Sequence, residues 1–135
     1  MPYEVPRNQD ATAFKGGKTI LASVIALQYT EEGGTLDAAA IGDRYVELGE
    51  PFIRDNASGR YVPFVAATHV TAGAINAGFS DPVICNVDFD CNGSDNVVVG
   101  ELIVRGSVYD KKLPTKVTAA FKAVTPGIRY VSRGL

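Results

Sequence analysis

The 135-residue chain has no tryptophan, one methionine, one histidine and two cysteines. A single imidazole excludes catalysis or zinc binding built on several histidines. Two cysteines are too few for the disulfide framework of a small secreted scaffold. No apolar run approaches the roughly 18–20 residues a membrane-crossing helix needs. The best candidate, Ile20 to Leu27, falls far short of that and is broken by Ser23. No basic segment opens the chain and no small-residue cleavage site follows this run, so a signal peptide is not expected. Hydrophobic residues make up 46% and charged residues 21%, which places the chain with globular rather than disordered proteins. The length suits one domain.

Charge is scarce overall but unevenly placed. From Glu31 to Glu101 there are twelve acids and three bases (Arg44, Arg54, Arg60), a balance of −9. From Arg105 onward there are seven bases and one acid, Asp110, a balance of +6; the first thirty residues add +1, and the sum is −2. A middle this acidic is unsuited to general nucleic-acid binding. The polarity fits self-association or docking to another protein, as well as two signs simply spread over a solvated surface.

The sequence reads as mainly β, a β-rich α+β chain. Met1 to Gly17, with Pro2, Pro6 and Gly16-Gly17, has no apolar period and is expected to be an extended N-terminal arm. Residues 18–135 are expected to form a single β-rich domain. Ile20 to Tyr29 reads as a strand, with a helix as the rival, and ends in the turn Thr30-Glu31-Glu32-Gly33-Gly34. Asp37 to Ile41 is too short to assign, and Tyr45 to Gly49 alternates like a strand or strand edge. Pro51 to Arg54 and Arg60 to Phe64 flank Asp55-Asn56-Ala57-Ser58-Gly59, a hairpin signature. Pro51 and Pro63 put those strands near an edge, or put the prolines at strand ends. Residues 65 to 80 read as loop or weak strand, Val83 to Val87 as a strand, and Asp88 to Asn96 as a polar loop. Val97 to Tyr109 is the strongest β stretch, with Gly100 and Gly106 marking a bulge or a close backbone approach. Leu113-Pro114-Thr115 is expected to open one helix with Val117, Ala120, Phe121 and Val124 on its apolar face. Pro126-Gly127 ends it, and Ile128 to Val131 is a last short strand.

Asp88-Phe89-Asp90-Cys91-Asn92-Gly93 matches the opening of a calcium loop, with oxygen ligands at positions 1, 3 and 5 and glycine at 6. Position 12, which needs a bidentate Glu, is Val99, so a polar turn is the preferred reading and no metal is expected. Gly17-Lys18-Thr19 resembles the end of a phosphate loop but lacks its first glycine and precedes a strand instead of following one. Cys85 and Cys91 are expected as two thiols, one in a strand and one in a loop, although a bridge around the loop is conceivable. His69 is expected in a loop or in solvent. Asn56 and Asn92 fit the glycosylation pattern, which matters only in a secreted eukaryotic protein. No catalytic residue and no cofactor are expected.

The order of segments is more informative. The hairpin Pro51 to Phe64, then Val83-Ile84-Cys85-Asn86-Val87-Asp88, then Leu102-Ile103-Val104-Arg105-Gly106-Ser107-Val108, Leu113, a short helix and Gly127-Ile128-Arg129-Tyr130-Val131 follow in turn. This series resembles the lambda-type head decoration, or capsid cement, proteins of tailed phages, over roughly Leu48 to Val131. The resemblance implies a compact β-barrel or β-clip-like domain with one short C-terminal helix. It implies a homotrimer on the outer surface of the capsid, assembled in the bacterial host cytoplasm, with the major capsid protein as partner and neither nucleic acid nor membrane. It implies an N-terminal arm that orders on the shell by adding to a capsid sheet, for which Tyr3, Val5 and Phe14 are the apolar anchors available. A tail or baseplate component and a small calcium-binding module are the alternatives.

Overall fold

A computed structural model describes residues 20–132. The expected arm, and with it Tyr3, Val5 and Phe14, lies outside the described residues, as does Gly17-Lys18-Thr19. The chain is strand-rich with few short helices, as its composition of β-branched runs and turn residues predicts.

The first strand, β1 (Leu21–Tyr29), continues after a turn as β2 (Gly34–Leu36). Late in the chain, β10 (Val97–Val99) continues as β11 (Leu102–Tyr109). These two segments run antiparallel as one ribbon, β1 on β11 and β2 on β10. The ribbon bends between its two parts, where the Thr30 N–H donates to the Leu102 carbonyl at 2.9 Å. Gly34 is required at the bend: a Cβ there would lie 2.6 Å from Leu102 Cδ1 and Tyr61 Cε1.

The bent ribbon wraps three strands. These are the hairpin β4 (Pro51–Asp55) and β5 (Arg60–Pro63), together with β8 (Phe79–Cys85). The sheet order is β1-β11-β8-β4-β5-β2-β10, so the ribbon forms both ends and the sheet curls into a half-barrel. A final strand, β12 (Ile128–Val131), runs parallel to β11 over Gly106 to Tyr109.

Both faces of the central strands are buried, which explains why their sequences are continuous apolar runs rather than alternations. Phe52, Val83, Cys85 and Leu102 enter one apolar cluster with Leu36, Val46, Tyr61 and Cys91. Their neighbours Ile53, Ile84 and Ile103 point the other way, into a second cluster with Ile20, Leu48, Val108 and Phe121. Residue Asn86, buried just past β8, donates to Glu101 Oε1 at 2.9 Å, and the Tyr29 hydroxyl donates to the same oxygen at 3.2 Å. The ribbon is thus tied to the sheet by polar as well as apolar contacts.

Several expectations need correction. Residues 88 to 96 are not all loop: β9 (Phe89–Asn92) pairs antiparallel with β3 (Asp43–Val46). Its sequence alternates Phe89 and Cys91 inward with Asp90 and Asn92 outward, and those turn-favouring outward residues disguise it as a turn. Strand β8 begins at Phe79, four residues before Val83. An extra residue bulges its pairing with β4, with Asp81 at φ 51°, and Pro82 sits at that bulge, where no ladder N–H is needed. β4 is an interior strand, and Pro51 and Pro63 are its hairpin's end residues, so the end reading of those prolines holds and the edge reading does not. Residues 65 to 80 hold a four-residue helix, α2 (Ala66–His69), and the small hairpin β6 (Val70–Thr71) and β7 (Ala74–Ile75). Asp37 caps α1 (Ala38–Ile41), its Oδ1 accepting from the Ala39 and Ala40 N–H groups.

The expected helix from Leu113 is shorter. A 3-10 turn spans Asp110–Lys112, and α3 covers only Ala119–Ala123. Pro114 forces Leu113 into an extended conformation (φ −83°, ψ 150°), and Thr118 is extended too, so regular helix starts only after it. Val117 is buried as expected, but from a turn rather than from a helix face.

Candidate functional site

The uncharged strand β1 does not lie flat. Between Ser23↔Ser107 and Gln28↔Arg105 it advances five residues while β11 advances two, so three residues loop out. They are Val24, Ile25 and Ala26. Val24 is 73% and Ile25 81% exposed, and Ala26 turns the chain at φ 64°. The loop is held in shape. Ser23 Oγ accepts from the Ile25 N–H at 3.1 Å, and Leu27 folds back over Gly106. Gly106 adopts φ 147°, and a Cβ there would meet Leu27 Cδ1 at 3.1 Å. An aliphatic knob therefore projects from β1, the last strand at this end of the sheet among the described residues. Exposed Arg105 lies opposite Gln28, and exposed Arg129 lines a shallow pocket of about 190 Å³ with Ala22 and Ser23 at the knob's foot.

Just past the end of β1 the surface carries the opposite charge. Glu31, Glu32, Gly33, Tyr61, Asp81 and Val98 surround an open mouth of about 330 Å³. The three carboxylates are exposed on its rim, with Arg54 in the wall, and Val98 of β10 is 73% exposed beside them.

No family model, curated protein or solved structure matches the chain. The functional reading therefore rests on the residues themselves.

The acidic segment Asp88 to Asp95 has the geometry of a strand followed by a turn. Asn92 Oδ1 accepts from the N–H groups of Ser94 and Asp95, both at 2.8 Å, the local bonding that favours Asn in turns. Asp88 accepts from the Tyr45 hydroxyl, and that bond pushes the exposed Tyr45 phenol up to about 12. Among the described residues no three His, Cys, Asp or Glu side chains gather as a metal-holding group.

His69 is neither in solvent nor in a loop. It ends α2, is 5% exposed, and packs against the rings of Phe64 and Phe79. Its Nδ1 accepts from the Val65 N–H at 2.9 Å, which fixes the neutral tautomer with the proton on Nε2. Burial holds its pKa below the ordinary imidazole value, with Asp55 a weaker opposing influence. Cys85 and Cys91 are both buried and not bridged to each other; the Cys85 thiol donates to the Val87 carbonyl at 3.4 Å, and Cys91 lies in β9 rather than in a loop.

Sequence reasoning also misses Glu50, which is 1% exposed. Its carboxylate accepts from Arg44 Nη1 at 2.9 Å and Nη2 at 3.0 Å, and from the Glu47 N–H at 2.7 Å. Lys116 Nζ lies 3.3 Å away. Burial pushes the Glu50 carboxyl up, but the Arg44 bonds, the Glu47 N–H and the two nearby cations outweigh it and hold its pKa below the usual range. This cluster clasps the segment before α3 to the start of β4; its role is architectural. Nothing in Gly49-Glu50-Pro51 signals it, because the partner Lys116 lies 66 residues away in sequence.

Proposed function

We propose that this chain is a structural virion protein, a decoration protein that binds as a homotrimer to the outer surface of an expanded phage head. Its partner is the major capsid protein, and its effect is to stabilise the shell against the pressure of packed DNA. The observation that carries the reading is the order of segments resembling the lambda-type decoration proteins: hairpin, strand, long strand, short helix, closing strand. In keeping with it, β4, β5, β8, β11 and β12 are joined in one sheet, and α3 is short. The reading assigns no catalytic residue, metal or cofactor.

The physics of such a role requires little chemistry. Non-covalent contacts across subunit boundaries raise the work needed to rupture a pressurised shell. A trimer engages three contacts at once, so joint binding is far tighter than any one contact. A chain segment adding to an exposed sheet edge draws on backbone hydrogen bonds, which demand no particular side chains.

The test is binding of the purified full chain to expanded heads that lack decoration, followed by thermal release of DNA. Saturable binding at three-fold positions and a higher release temperature are expected. Binding only to tails, or no protection at saturation, overturns the reading in favour of a tail component.

A further inference from the structure

We infer that the β1 knob is the surface by which one copy of this chain holds the next, by seating on the acidic mouth of that copy. The inference rests on the self-association in the reading above and names the surfaces that produce it. Three observations converge. The knob is built rather than incidental, since Ser23, Leu27 and Gly106 all hold it out from the ladder. Val24 and Ile25 on the knob and Val98 at the mouth are three of the five exposed large hydrophobic side chains among the described residues. The surrounding charges are complementary. Arg129 lies at the knob's foot, whereas Glu31 and Glu32 rim the mouth; Arg105 and Asp81 line one hollow between the two.

Charge selects the pairing. Knob against knob would oppose Arg129 to its own copy, and mouth against mouth would oppose Glu31 and Glu32 to theirs. Knob to mouth alone brings opposite signs together around an apolar centre, the arrangement that gives specificity at protein interfaces. The two patches share no residue: the knob lies in β1, and the mouth lies on the β1–β2 turn, Asp81 of β8 and Val98 of β10. A contact between two different patches is heterologous, and repeating it around an axis closes a ring. The expected ring has three members.

Sedimentation equilibrium of the full chain, with melting as a control for folding, tests this. Ile25→Asp and Val98→Asp should each raise the dissociation constant of the assembly at least tenfold while leaving the melting temperature of the separated chain unchanged, because both side chains are on the surface. Arg129→Glu should weaken assembly, and Arg129→Glu with Glu32→Lys should restore it. In a mixture of two tagged chains, Ile25→Cys in one and Val98→Cys in the other should give an intermolecular disulfide under mild oxidation, a readout that holds even if an aspartate variant folds poorly. Wild-type assembly unaffected by either aspartate, or no such disulfide in an assembled mixture, overturns the inference. Normal assembly of Ile25→Asp together with lost binding to heads also overturns it, since the knob would then face the shell. A wild-type chain that is monomeric both in solution and on the shell overturns both the inference and the trimer. A knob-dependent assembly that ignores phage heads supports the inference and overturns the decoration reading alone.

Discussion

Replacing Glu50 by alanine tests how the C-terminal third is fastened to the sheet. The substitution removes a buried carboxylate, its paired bonds to Arg44 and its bond to the Glu47 N–H. Stranding a fully buried charge costs about 3–5 kcal/mol. Here the stranded cations are less enclosed: the side chains of Arg44 and Lys116 are 32% and 46% exposed, so water reaches both. The expected loss is therefore about 2–3 kcal/mol, or roughly 6–12 °C in melting temperature for a chain of this size. Lys116→Ala alone, which removes the more exposed partner, should cost below about 1 kcal/mol. The pH dependence has a definite sign. The folded-state pKa of Glu50 lies below its ordinary value of 4.5, so its contribution is fully present above that pH and is lost as pH falls through the folded value. The gap between wild type and Glu50→Ala should accordingly narrow below about pH 4.5. Urea unfolding at pH 7 and across the acid range measures both effects. A loss under about 1 kcal/mol at pH 7, or a gap that does not close in acid, would refute the idea that this ion cluster fastens the segment.

Three further outcomes follow from the same packing and from the proposed role. His69 is the one histidine, and its folded-state pKa is lowered, so below about pH 6.5 the unfolded chain takes up a proton first and stability should fall as pH drops. His69→Phe should keep the aromatic packing, flatten that slope, and cost about 1 kcal/mol for the lost Val65 bond, as read by urea titration at pH 5.5 and 7.5. Gly106→Ala should destabilise by at least about 1 kcal/mol, because φ 147° and the nearby Leu27 both oppose a Cβ; a neutral result in thermal unfolding would show that the β1 bulge relaxes freely. Deleting residues 1–17 should leave a folded domain, since the curled sheet and both apolar clusters are built from residues beyond them, but should weaken binding to undecorated expanded heads; equal affinity would show the segment to be passive.

The parts of the fold legible in the sequence are those where local chemistry and tertiary burial agree. The turn formers Asp55 to Gly59 sit between runs that need burial on both faces, so the β4–β5 hairpin announces itself. The same holds for Ile128 to Val131 after Pro126-Gly127. Strand β9 is hidden because its outward positions are Asp90 and Asn92, both turn formers, and the small helix α2 because four residues carry no period. The helix before β12 is over-read because Val117 is buried from a turn that happens to match helical spacing. The candidate surface is the least legible part. Val24 and Ile25 lie in an apolar run whose composition reads as core, and only the register slip against Ser107 and Arg105 turns them outward.

The bent ribbon also sets an order of events during synthesis. Leu21 pairs with Val108, 87 residues later, and among the described residues β1 has no strand partner other than β11. At about 5–20 residues per second, β1 waits roughly 4–17 s on the ribosome before its mate exists. Through that interval an uncharged, β-prone segment is unpaired, the condition under which nascent chains are most exposed to aggregation. The loop at Val24 to Ala26 is set by its register against Ser107 and Arg105 and leans on Gly106, so it too takes shape only after β11 has been made. The knob is therefore among the last features of the sheet to form, although its residues precede the rest of the sheet in the chain.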